Sequence, residues 1–300
     1  MKKPVQFNDE PISPDNKYGF IPPNDDVMFH ALLGDANHIE FPEDLVFAVT
    51  GEKCKLAPLD STIWSPRKKG RRIVADIRFL KKTVDGTNQW VSVVSIDMQN
   101  KDVKNNDDRF VLDVAYEIAT QLKKGQKFED IVPVTVIVFL NFIHYDDPHY
   151  SRCWKMRTEY GNESNVMQLH VIEMPKARMT PDGSRKCLWS LFLSIKSLSD
   201  LTDVMKEDPV MIEVTSLLQE KNLNDRTRRR AHKLLMSEWR IDGQITEGEA
   251  RGRAEGRAEG RAEGRAEERE NIAKNMKKKG RPLADIAEVT GLSVAEIKKL

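Results

Sequence analysis

Two aspartates and a glutamine, Asp76, Asp97 and Gln99, lie in a stretch that reads as two strands joined by a tight turn, Arg71 to Gln99. Residues of one strand face alternate in number. Ile73, Ala75, Ile77 and Phe79 therefore share one face of the first strand, with Val74, Asp76 and Arg78 on the other. In the second, Val91, Val93, Ser95, Asp97 and Gln99 share a face, backed by Val94, Ile96 and Met98. Asp85-Gly86-Thr87-Asn88 suits a short hairpin loop, because Gly and Asn tolerate positive φ. Counting outward from a Val84–Gln89 pair sets Asp76 opposite Asp97, with Cβ atoms about 4.5–5.5 Å apart. Two carboxylates that close repel and raise one another's pKa unless a cation joins them. A divalent ion such as Mg²⁺, which takes a few carboxylates plus water and phosphate oxygens, suits the position. Gln99 points to the same spot. The competing reading is a pair of solvated surface acids, and a one-residue slip would turn Asp76 away.

These strands need a scaffold, and the rest of the chain supplies one. Asn24 with Asp25 and Asp26 marks a helix start, the acids favouring its positive end; Val27, Met28, Ala31 and Leu32 form its apolar stripe. A second helix is predicted from Pro42 to about Thr50 and a strand around Lys53–Leu59. After Gln99 a helix starts near Asp107 or Asp108, with Phe110, Val114, Ile118 and Leu122 on its buried side and Val111 and Ala115 beside them. It stops at Lys123-Lys124-Gly125. Val134 to Phe142 is apolar almost throughout, as a strand buried on both faces must be. The order is α/β: helix, three strands, helix, central strand. Beyond it, Val166–Met174 and Cys187–Leu193 read as strands, with Pro175–Arg185 an excursion between them. Helices are predicted near 196–206, 208–220 and 225–242. Arg226, Arg228, Arg229, Arg230 and Lys233 form a basic run, read as a solvated helix face rather than a phosphate-contacting patch.

Composition then changes. Arg-Ala-Glu-Gly units repeat from Arg253, the fourth closing on Glu268. A four-residue period drifts about 40° per copy on an α-helix. Each glycine costs roughly 1 kcal/mol relative to alanine, and like charges fall at i,i+4. Self-association through the Gly/Ala surface is the favoured expectation, a charged linker the alternative. The end of the chain reads as a basic helix over 271–279 closed by Gly280, a short helix with Leu283, Ile286 and Ala287, a turn at Gly291-Leu292, and a Ser293-capped helix with Val294 and Ile297 inward. That is helix-turn-helix spacing, which serves major-groove docking or plain packing.

The 300 residues carry 48 basic and 47 acidic side chains, so net charge does not advertise a nucleic-acid partner. Cys54, Cys153 and Cys187 form no CxxC pair or zinc spacing. No run approaches 18 apolar residues and the start lacks a signal-peptide core, so a cytoplasmic protein without a membrane span is expected.

Taken in order, the segments PNDDVMFHALLGD, VADIRFLKKTVDG, SIDMQN and DDRFVLDVAYEIATQLKKGQKFEDIVPVTVIVFLNF, then GEARGRAEGRAEGRAEG and NMKKKGRPLADIAEVTGLS, resemble the Rpn family of recombination-promoting nucleases and transposases. That family is a branch of the PD-(D/E)XK nuclease superfamily in which the lysine is usually glutamine. The resemblance implies a restriction-endonuclease-like core with an α-helical C-terminal extension. With the composition breaks above, the expected division is a flexible arm (1–22), a nuclease-like domain (23–195), a helical region (196–246), the repeat (247–270) and a helix-turn-helix-like tail (271–300). The resemblance implies a metal-dependent DNA endonuclease acting on double-stranded DNA, and the repeat leads us to expect a homo-oligomer, a dimer, through the C-terminal helical region. A catalytically inactive DNA-binding or oligomeric module is the alternative. Asp76 and Asp97 then match the metal-binding acids, with the Met98 carbonyl a third Mg²⁺ ligand, and Gln99 the lysine position. Arg109, Tyr116 and Gln121 match polar positions expected to line the cleft, and Glu43 or Asp44 is expected to add an acid. Ala75 replaces the family's proline, and Asp97 stands where most relatives carry glutamate.

Overall fold

The computed structural model describes residues 8–63, 73–74, 76–83, 92–122, 125 and 127–300. They form two compact units, 1–235 and 236–300. In the first, α1 (Asp26–Leu33) and α2 (Glu40–Thr50) precede β1 (Cys54–Leu59). The short strands β2 (Thr62–Ile63) and β3 (Ile73–Val74) pair with each other, and β4 (Ile77–Thr83) and β5 (Ser92–Gln99) complete an antiparallel meander with β1. α3 (Asn106–Ala119) leads to β6 (Val134–Leu140), then β7 (Ser151–Arg157), β8 (Glu163–Glu173), α4 (Met174–Met179) and α5 (Arg185–Leu193). α6 (Asp203–Glu207) and α7 (Pro209–Leu223) follow, then the first turns of α8 (Asp225–Lys278), whose residues from 236 onward belong to the second unit.

The six-stranded sheet has the order β1-β4-β5-β6-β8-β7, with β5–β6 and β6–β8 parallel. Every residue of β6 is buried, in keeping with its continuous apolar run at the sheet centre. One face packs Ile77, Phe79, Val94, Ile96 and Met98 against α1, α2, α5 and α7. The other packs Val93, Val136 and Val138 against Phe110 and Val114 of α3. Val111 and Ala115 are exposed rather than inward, because α3 buries a narrow stripe at four-residue spacing.

The expected strand at Cys187–Leu193 is a helix. Ser184 caps it by accepting from the Cys187 N–H, and Leu188, Trp189, Phe192 and Leu193 are buried in a helical rhythm. β7 was not expected: it is an edge strand, largely exposed, with Trp154 and Met156 facing outward. The N-terminal arm is fastened at its end. Phe20 and Ile21 are fully buried, and the Asn222 side chain accepts from the Ile21 N–H at 2.7 Å. The hairpin turn at Asp85–Asn88, the helix stop at Lys123-Lys124, and Ala75 lie outside the described residues.

In the second unit the repeat is helical and all its residues are exposed. Ion pairs at i,i+4 fall near its edges, Arg251–Glu255, Arg253–Glu249 and Lys274–Glu270. α9 (Leu283–Thr290) and α10 (Val294–Lys299) close on α8 around Ala273, Ile286 and Ile297. Val294 is exposed, not inward. Among the described residues no helix is long and apolar enough to cross a membrane.

Candidate active site

The β4–β5 register pairs Ile77 with Ile96, which brings Asp76, one residue before β4, level with Asp97. The two acids are tied together through the backbone. The Asp76 N–H donates to Asp97 Oδ1 at 2.9 Å, and the Met98 N–H donates to Asp76 Oδ2 at 2.8 Å. In a strand a residue's N–H and carbonyl point to the same edge. Since the Met98 N–H reaches Asp76, the Met98 carbonyl opens toward the same edge, beyond the start of β4.

Burial, then the charge of Asp76, pushes the Asp97 carboxyl up to about 8. Asp76 is also raised, by burial, against the lowering effect of the Met98 N–H and of Arg109. Among the described residues neither carboxyl has a salt-bridge partner; Arg109 acts on both from α3. Two acids held in one place with pKa values raised is what a cation would reverse. The donor set of hard oxygens therefore fits a divalent ion such as Mg²⁺. Among the described residues no group of three or more His, Cys, Asp and Glu is placed to hold an ion. Water and phosphate oxygens would have to complete the shell.

Helix α3 faces this strand pair with one polar residue per turn. Arg109 Nη1 donates to Gln99 Oε1 at 2.9 Å. Asp113, one turn on, adds its charge to Asp97. Glu117 takes a bidentate hydrogen bond from Arg78, at 2.8 and 2.7 Å, and another from the Ser95 hydroxyl. The Gln121 amide pairs with both backbone groups of Val132. The helix thus runs antiparallel to β5, so Arg109 sits at the acid end and Gln121 at the far end. Val132 lies six residues before Val138, the partner of Asp97, roughly 20 Å along a strand. Gln121 is therefore not brought to the acids. Tyr116 is half-buried on α3, beside the stripe rather than on it.

Glu43 and Asp44 are engaged elsewhere. Glu43 accepts from Lys55 Nζ and the Leu56 N–H, and Asp44 from Arg185 and Trp189. On α1 it is Asp26 that feels the charge of Asp76. Partial burial and the charge of Asp76 hold its carboxyl above the usual range. The Asn100 side chain sets α1 there, donating to the Asn24 carbonyl at 2.7 Å while accepting from Asn141. His30, one turn along α1, lines a small cavity with Asp76, Arg78 and Ser61. In sequence Asp26 reads only as a charge favouring a helix start, so nothing local singled it out.

No curated protein and no solved structure matches the chain. A family model described as PD-(D/E)XK nuclease family transposase matches residues 59–242, which include Asp76, Asp97, Gln99 and all of α3. That span is more than half of the 300 residues, and the chain belongs to the PD-(D/E)XK nuclease family transposases.

Proposed function

We propose that the chain is a metal-dependent DNA endonuclease that hydrolyses phosphodiester bonds in recombination or mobile-element movement, with Asp76 and Asp97 at its centre. The observation that carries this is the pair of backbone–carboxylate bonds fixing two acids whose pKa values are raised. Asp76, Asp97 and the Met98 carbonyl would hold Mg²⁺, with Asp26 near enough to contribute charge. When bound, the ion acidifies water and neutralises charge building on the phosphate. The chain's own groups orient and balance. Gln99 gives its Oε1 to Arg109, so its amide N–H₂ is left to direct a water or a phosphate oxygen. Arg109 brings to that corner the positive charge a glutamine lacks. Tyr116 flanks the same helix face.

A second reading is a catalytically silent DNA-binding or oligomeric module on the nuclease fold. Asp97, one methylene shorter than glutamate, favours it, and so does the exposed helical repeat, whose Gly/Ala surface would join two copies. Nicking of supercoiled plasmid with Mg²⁺, compared with Asp76→Ala, separates the two. The nuclease reading expects nicking by the wild type and none by the variant. Equal rates would remove the site, and no nicking by either would favour the silent module.

A further inference from the structure

The basic run at the start of α8 is more than a solvated helix face. Arg228 is buried, and its guanidinium donates to the backbone carbonyls of Lys17, Gly19 and Asn222. Asn222 holds Ile21 from the end of α7 by two backbone hydrogen bonds. These contacts press residues 17–21 of the arm against α8. Between arm and helix they leave a cavity of about 320 Å³ lined by Lys17, Tyr18, Arg228, Arg229, His232 and Lys233. Asp225 is the one acid among its lining residues, against four permanent cations.

Arg229 and Lys233 stand one turn apart and exposed, and the Lys17 ammonium sits 4.9 Å over the Tyr18 ring at the other wall. Exposed cations on two converging segments, with a concave floor and an excess of positive charge, suit a polyanion better than a neutral ligand. Arg230, next to Arg229 on the helix, lies close enough to α1 for its charge to add to burial in holding His30 below its usual range. His30 in turn shares a cavity with Asp76. The basic helix start and the acid pair thus belong to the same compact unit.

We propose that the cavity between the fastened arm and the first turns of α8 binds the phosphodiester backbone of nucleic acid, with Arg229, Lys233 and Lys17 contacting phosphates. It rests on the nuclease reading for its partner, and it gives the substrate a hold outside the acid pair. The chemistry is charge contact with released counterions, so affinity must fall steeply with salt.

The test is binding of a short fluorescein-labelled duplex, in EDTA to prevent cutting, over a salt series. Arg229→Gln/Lys233→Gln is expected to weaken binding on the order of ten-fold at low salt and to reduce the salt slope by about 2. Lys53→Gln/Lys206→Gln removes the same charge from exposed positions away from the cavity and is expected to change binding far less. Equal losses in both double variants, or no loss in the first, would overturn the proposal. So would displacement of the duplex by inorganic phosphate beyond its ionic-strength effect, which would make the cavity a small-anion site. Plasmid nicking is measured alongside. Wild-type nicking with unchanged binding in the cavity variant overturns the cavity and leaves the nuclease reading standing. Lost binding in that variant, with no nicking by the wild type, supports the cavity and removes the nuclease reading.

Discussion

Arg109 donates to Gln99 Oε1 at 2.9 Å across the end of β5, so a guanidinium stands beside the residue proposed to take the lysine position. This sets up the first prediction. Gln99→Lys alone loses the hydrogen bond and puts an ammonium against the guanidinium, costing about 1–2 kcal/mol without raising nicking. Gln99→Lys with Arg109→Gln restores one cation and one amide, and is expected to recover the stability and nick faster than the single variant. Urea melts and plasmid nicking check both; faster nicking by the single variant would show that Arg109 does not stand in the way.

The second concerns pH. Asp97 holds its proton to about 8 in the folded chain, against about 3.9 unfolded. Between those values the folded state binds more protons, so stability falls as pH rises. In EDTA the melting temperature is expected to drop by up to roughly 2–4 °C per pH unit between about pH 5 and 8. Asp97→Asn flattens that part of the profile, and Mg²⁺ raises the midpoint more at pH 8 than at pH 6. A wild-type profile in EDTA that matches Asp97→Asn would contradict the raised carboxyl.

The third tests the ion pair that fastens α3 to the sheet. Glu117 is buried, bound to Arg78 and Ser95, so Glu117→Ala leaves a guanidinium half-buried without its carboxylate. A loss of about 3–5 kcal/mol is expected. Arg78→Met/Glu117→Leu should recover most of it. A urea midpoint barely moved by the single change would mean the pair is not structural.

The fourth separates the second unit from the chemistry. Its core is three fully buried residues with a few partly buried neighbours, and Ile286→Ala is expected to cost about 2–4 kcal/mol. That is enough to open so small a core, seen as rapid proteolysis beyond Gly280, while nicking persists. Loss of nicking together with the tail would place a catalytic requirement there.

Asp76 opposite Asp97 was legible in the sequence because strand faces alternate and the hairpin counts outward from its turn, and the Ile77–Ile96 register agrees. The buried β6 was legible from its unbroken apolar run. Asp26 was not, because α1 is set near Asp76 by contacts such as the Asn100–Asn24 bond, between segments 76 residues apart. On α3 the four-residue spacing disclosed the apolar stripe. The polar one, Arg109, Asp113, Glu117 and Gln121, needs the helix direction to be known before its members find their levels on the sheet. Cys187–Leu193 misled because a short apolar run fits strand or helix until the Ser184 cap is seen.

The central claim is that Asp76 and Asp97 grip one divalent ion together. Calorimetric titration of the metal-free protein with Mn²⁺ at pH 8 tests it most directly. One ion per chain is expected for the wild type, with affinity lost in both Asp76→Asn and Asp97→Asn while each stays folded. Binding unchanged by either substitution would contradict it.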